Sequence, residues 1–223
     1  THRQSSAASD VYKRQGYVSS IISTSEVTHA TPAAFIVHTS SRYMADEISI
    51  QMTDSKIKNI LGGGRKFFIP EENGGNREDG IQLLDKVKTN SILITDKSEL
   101  TDPSLYGDGQ VFGLFADEHL RDETTPENHS TEPSIKNMLE FSVNRSKKFI
   151  ESGCRGFFVM AEASQVDWAG HGNDFEYLMR EMTDLEGGIK WALNYAKKNK
   201  DTLVVVTAAV SYTHLTLPTS VGV

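Results

Sequence analysis

Residues 156–173 read GFFVMAEASQVDWAGHGN, and this stretch decides the fold. Phe157, Phe158, Val159, Met160 and Ala161 form an apolar run without alternation. Such a run predicts a strand buried on both faces, as in a parallel sheet covered by helices. Glu162, Asp167 and His171 follow directly. A carboxylate at the carboxyl end of a parallel strand sits where open α/β sheets receive their ligands. Asp167 and His171 are four residues apart at a predicted helix start, so their side chains share one face. Carboxylate with imidazole is a usual zinc pair, and a separate carboxylate suits a harder ion such as magnesium. The same spacing also fits an ordinary helix N-terminal aspartate with an exposed histidine. Glu162 is the sharper oddity, because an acid abutting five apolar residues needs a partner if buried.

Working outward, the elements alternate as strand and helix. Residues 16–22 and 58–61 read as short strands, the second running into the turn Gly62-Gly63-Gly64-Arg65. That turn has neither GxGxxG nor Walker spacing, so it reads as architecture rather than a phosphate cradle. Ile81, Leu84 and Val87 mark a short amphipathic helix before the strand 91–96, a βαβ unit with a right-handed crossover. Residues 111–115 form another short strand. The acidic stretch 116–132 lacks EF-hand spacing and reads as a solvated loop; it holds a glycosylation sequon at Asn128-His129-Ser130. Residues 133–152 form a helix with Ile135, Met138, Leu139, Phe149 and Ile150 on one side, stopped by Gly153. A long helix is expected from His171 to about Asn199, with Leu178, Met182, Leu185, Ile189, Ala192 and Ala196 as core and Gly187-Gly188 as a weak point. The run 202–208, TLVVVTA, reads as a second buried parallel strand. Near the start, Thr31 before Pro32 reads as an N-cap with proline at the first helical position, leading into a helix over 33–38.

Composition sets outer limits. The chain has 223 residues, of which 38% are hydrophobic and 24% charged, with a net charge of −7. That balance fits one sizeable α/β domain and argues against a nucleic-acid-binding surface. No apolar run is long enough for a transmembrane helix. Acidity suits an anionic substrate only where metal cations dominate the local field. Cys154 is the sole cysteine, which excludes an intrachain disulfide. The two ends differ from the middle. Residues 1–15 are aperiodic, with Arg3, Lys13 and Arg14 against Asp10, and residues 209–223 contain no charged side chain. Both resemble translated adapter sequence, so 1–15 and 209–223 are expected to be non-native read-through around a partial domain at 16–208.

The segment MAEASQVDWAGHGND resembles the Glu-x4-Asp-x3-His segment of the alkaline phosphatases. THATPAAFIVHTSSR and ILGGGRKFF resemble two further phrases of that family, and the order of segments across 16–208 follows it. The resemblance implies a three-layer α/β/α sandwich with a mostly parallel central sheet, incomplete in this chain. It implies a metal-dependent phosphomonoesterase that passes through a phosphoserine intermediate and uses zinc and magnesium. Carried over by position, Asp167 and His171 are ligands of one zinc, and Glu162 and Thr31 are magnesium ligands. Arg42 clamps the phosphoryl group, and His29 stands just behind the magnesium ligands. The family resemblance further implies phosphate monoesters as substrates, a homodimeric parent and a periplasmic or secreted setting.

The departures from the family pattern matter equally. Where the family continues the strand at TLVVVTA with Asp-His, both metal ligands, this chain reads Ala209-Val210. The segment with the nucleophilic serine is absent, as is a further zinc histidine. The expectation is a chain that is inert as written, binds zinc weakly and aggregates along an open sheet edge. Two other readings stay open at this point. One is a related hydrolase such as a sulfatase or phosphodiesterase, since fold does not fix chemistry. The other is a degenerate homologue retained for binding.

Overall fold

The computed structural model describes residues 15–121 and 131–208. Five strands form one sheet: β1 Tyr17–Glu26, β2 Asn59–Gly63, β3 Ile92–Ile94, β4 Val111–Leu114 and β5 Gly156–Glu162. Their order across the sheet is β3-β4-β2-β1-β5, and every pairing is parallel. Among the described residues six α-helices accompany them: α1 Ala30–Ala34, α2 Ala45–Asp54, α3 Leu83–Asn90, α4 Ile135–Glu151, α5 Gln165–Gly172 and α6 Phe175–Lys198.

Alternation along the central strands makes the layers. Ile21 of β1, Ile60 of β2 and Phe112 of β4 face a core shared with Ala33 of α1, Met52 of α2 and Val87 of α3. Their neighbours Ile22, Leu61 and Val111 face the opposite core with Ile135, Met138 and Phe141 of α4. Successive strand side chains point to opposite faces, so a strand apolar at every position demands cover on both sides. The result is the α/β/α sandwich with a parallel sheet, as expected. Parallel strands leave all their carboxyl ends at one edge, where ligands are received in such sheets.

Several elements differ from the sequence reading. β1 is the long central strand, ten residues rather than seven, because Ser19, Ser20, Ser23, Thr24 and Ser25 are buried within it. β5 pairs only with β1 among the described residues, so its side chains are half-buried instead of sealed on both faces. Residues 202–208 form no strand: Leu203 is 86% and Val205 73% exposed, because no neighbouring backbone hydrogen-bonds to them as a sheet. α1 starts at Ala30 with His29 at the N-cap position and no capping side chain, so Thr31 lies in the first turn and is not the cap. The long helix is present as α6, Phe175–Lys198, unbroken at Gly187-Gly188 but starting a few residues later than expected, after a break from α5. Asn173 closes α5 in the left-handed conformation at φ 51°, and the Asp174 carboxylate accepts from the Tyr177 amide to start α6. The apolar positions of α6 lie on a helix half open to solvent, Met182 being 43% exposed. Glu181 and Gly188 are its buried positions, and a Cβ on Gly188 would sit 2.7 Å from Ile135, so the glycine is what lets α6 close on α4.

The glycine turn after β2 is architecture, as expected. The Gly64 amide donates to the carbonyls of Ala116 and Glu118, and a Cβ on Gly63 would stand 1.9 Å from the Glu118 carbonyl. Amides already committed to carbonyls cannot cradle a phosphate. The acidic stretch is tied down where it is described, with Asp117 against Arg65 and Glu118 against Lys66. Its sequon at 128–130 lies outside the described residues. No described helix is long and apolar enough to cross a membrane.

Candidate active site

The site is assembled at the carboxyl ends of β1 and β5. Register places Ser23 beside Glu162. The Ser23 hydroxyl donates to Glu162 Oε2 at 3.0 Å, and Ser164 donates to the same oxygen at 2.7 Å. Ser23 also lies 2.8 Å from both Ser25 and Ser164. This hydroxyl cluster answers the oddity of an acid after an apolar strand, since hydrogen bonds replace the water that Glu162 loses. It also occupies one carboxylate oxygen and leaves Oε1 outside the cluster.

Just past β5, α5 carries Asp167 and His171 on one face, with Asp167 Oδ2 3.6 Å from His171 Nε2. Two ligands of a tetrahedral zinc, each about 2.0–2.1 Å from the ion, stand about 3.3 Å apart, so this pair needs little adjustment to share one. Trp168, between them in sequence, turns the other way into a cleft of about 380 Å³. That cleft is lined by Glu26, Thr28, His29, Arg42, His119 and Trp168, with Ala30, Tyr43, Ala45 and Phe67 around them.

Inside the cleft, Arg42 Nη2 lies 3.3 Å from His29 Nε2. His29 also meets Trp168 and His119 edge to face, at 5.7 and 6.1 Å between centroids. Burial pushes the His29 imidazole below its ordinary pKa; Glu26 and Glu162 oppose that shift, while Arg42 and His119 add to it. A neutral ring accepts from Arg42 at Nε2 and carries its proton on Nδ1, and that buried nitrogen has no partner. The orphaned atom marks a place shaped for a further polar group.

Of the residues singled out from sequence, His29 and Arg42 meet directly, and Asp167 and His171 pair. Glu162 sits in its hydroxyl cluster close enough to act on His29 electrostatically. No described hydrogen bond joins Thr31 to Glu162, and no three His, Cys, Asp or Glu side chains converge among the described residues. The donor types nonetheless fit the two ions: a carboxylate among hydroxyls suits a hard cation, and a carboxylate–imidazole pair suits zinc.

This arrangement coincides with a match to the alkaline phosphatase family model over residues 2–219. The chain belongs to the alkaline phosphatase family. It is 37% identical over 202 residues to alkaline phosphatases 4 and 3 of Bacillus subtilis, covering 88% of this chain and 40% of each relative. The chain therefore spans about two-fifths of those relatives' length. Among solved structures it is similar to a cold-active alkaline phosphatase from a psychrophilic Shewanella, at TM-score 0.73 and 28% identity, over 88% of this chain and 44% of that one. It is also similar to a mutant of the TAB5 alkaline phosphatase with magnesium bound in its M3 site, at TM-score 0.70 and 27% identity, over 85% and 51% of the two chains.

Within this member of the alkaline phosphatase family, sequence reasoning passed over Ser23, Glu26, His119 and Trp168. Trp168 stood inside the quoted segment, but nothing in its type separates a cleft aromatic from a core one. His119 is 93 residues from Glu26, and that pairing exists only because the loop after β4 returns over the end of β1. No local pattern announces such a contact.

Proposed function

We propose that this chain supplies part of the active site of a metal-dependent phosphomonoesterase. The observation that carries this reading is the meeting of Arg42 and His29 in one cleft beside the metal-type donors of α5 and β5. Arg42 has its other guanidinium N–H groups available for phosphoryl oxygens, and its planar fork suits two-point contact with phosphate. His29, by accepting from Arg42, fixes where that fork sits. Ser23 and Ser164 hold Glu162 with one oxygen engaged, and its other oxygen, with the Thr31 hydroxyl, would hold a magnesium ion. Asp167 and His171 present one oxygen and one nitrogen to zinc. Bound there, such ions stabilise charge on the attacking and leaving oxygens of a phosphate ester.

On this reading the chain alone does not turn over substrate, because no three metal-type side chains converge among the described residues. The assignment of 1–15 and 209–223 as non-native belongs to the same proposal. Source DNA read across Gln15/Gly16 and Ala208/Ala209 tests it.

The activity is tested by exchanging residues 16–208 for the matching stretch of Bacillus subtilis alkaline phosphatase 4. The chimera is expected to hydrolyse p-nitrophenyl phosphate and to spare p-nitrophenyl sulfate and bis(p-nitrophenyl) phosphate. Asp167→Ala or Arg42→Ala in the chimera should abolish most of that hydrolysis. A folded chimera that loads zinc yet prefers the sulfate or the diester would refute the monoesterase reading.

A further inference from the structure

The Glu26–His119 pair has no part in the ligand set just described. Its geometry is that of a built site. His119 Nδ1 lies 2.7 Å from Glu26 Oε2 and 3.2 Å from the Glu26 amide nitrogen. The two contacts exclude each other, since a ring nitrogen that donates cannot also accept. The carboxylate is the shorter and stronger partner, so Nδ1 carries the proton and points at Glu26. The ring is fixed a second time by Trp168, whose centroid is 4.2 Å away at 56°. With Nδ1 engaged and the ring clamped, the polar atom left to face the cleft is Nε2, and none of the described hydrogen bonds uses it. Glu26 is the more sheltered partner at 17% side-chain exposure, as befits the group that orients rather than the one that reaches out.

We infer that His119 is a substrate-contacting residue whose Nε2 takes one oxygen of the phosphoryl group held by Arg42, with Glu26 and Trp168 as its positioning residues. The ligand class is an inorganic phosphate or phosphate monoester dianion. Nε2 donates to a phosphoryl oxygen when the ring is protonated; a neutral ring can only accept, from the P–O–H group of inorganic phosphate, so a monoester dianion, which has no such group, is taken by the protonated ring alone. A guanidinium on one wall and an oriented imidazole on the other suit a tetrahedral oxyanion better than either alone. This inference rests on the phosphomonoesterase reading for the role of Arg42.

The test is inorganic phosphate titrated into the full 223-residue chain, followed by tryptophan emission. A Trp191→Phe background leaves Trp168, inside the cleft, as the only indole. His119→Asn keeps a polar atom near Glu26 and removes Nε2, whereas His119→Gln restores an amide near the Nε2 position. The expected result is saturable quenching in the unaltered background, loss of it in Arg42→Ala, and dissociation about tenfold weaker in His119→Asn. His119→Gln should recover most of the affinity, with thermal midpoints equal across the His119 variants. Equal affinity in His119→Asn with loss in Arg42→Ala would overturn the inference and leave the phosphomonoesterase reading intact. No saturable quenching in the unaltered background would count against both.

Discussion

Replacing Arg145 with methionine should be the most damaging single change in this fold away from the active site. The Arg145 side chain is fully buried, and its donors all go to neutral oxygens at the amino-terminal edge of the sheet. Nε donates to Leu105 O at 3.0 Å, Nη1 to Lys58 O at 2.9 Å and to Asn59 Oδ1 at 2.8 Å. Nη2 donates to Gly107 O at 2.6 Å and also to Gly109 O. One guanidinium from α4 thus ties the approach to β2 to the loop before β4. Burial pushes its pKa down to about 10, with Asp108 acting in the opposite direction. It remains a cation at neutral pH, so its stability contribution is flat through the physiological range. Methionine fills part of the volume but leaves acceptors orphaned. Lys58 O keeps the Val111 amide at 2.8 Å, and Gly107 and Gly109 lie on an exposed loop where water can replace the lost donor. That leaves Asn59 Oδ1 as a buried acceptor without a donor and Leu105 O as a half-buried one, each worth about 1–3 kcal/mol with the second at the low end. Adding the imperfect fit of the new side chain gives a loss of about 3–5 kcal/mol. Against a typical total of about 5–15 kcal/mol, that is roughly a fifth or more of the fold. Urea unfolding followed by circular dichroism should show the midpoint fall sharply with the slope unchanged. A loss below about 1 kcal/mol would refute the reasoning, because it would mean that the loop releases its carbonyls to water without cost.

Two further outcomes follow from the same contacts. Ser23→Ala removes the hydroxyl that meets Glu162, Ser25 and Ser164 at once. It should lower stability by about 1–3 kcal/mol, read as a urea midpoint shift; an unshifted midpoint would mean that Ser164 alone satisfies Glu162. The double change Leu203→Lys and Val205→Lys should leave the thermal midpoint in place and reduce concentration-dependent light scattering, since both side chains lie in solvent. Unfolding of that variant would instead mean that residues 202–208 are a buried strand in solution, as their composition reads.

How much of this was legible in the sequence depends on the distance over which each feature is specified. Period and composition are local, so the parallel sheet, its covering helices and the GGGR turn could be read directly. Ile21 and Ile22, adjacent and both apolar, already state that β1 is covered on two faces. The same logic overreached at β5 and at 202–208. An apolar run records what a strand was selected to touch, whereas burial depends on which neighbours are present. Among the described residues β5 has one strand partner and Val205 has none. The helix break at Asn173 was missed for another reason: an unbroken apolar period masks a single left-handed residue when the cap that follows, Asp174, reads as an ordinary charge. Site residues divide in the same way. Glu162, Asp167 and His171 share ten residues of sequence, so spacing could suggest them, whereas His29 and Arg42, thirteen apart, are pointed to only by the resemblance of their segment to the family. His119 reaches Glu26 across β2, β3 and β4, through a loop whose path is set by the Gly63 and Gly64 contacts with the backbone of 116–118. The turn that composition marks as mere architecture is therefore what delivers His119 to the cleft. A change at Gly63 should move the His119 wall of the cleft as well as the fold, read as a weaker phosphate-dependent quench of Trp168 together with a lower thermal midpoint.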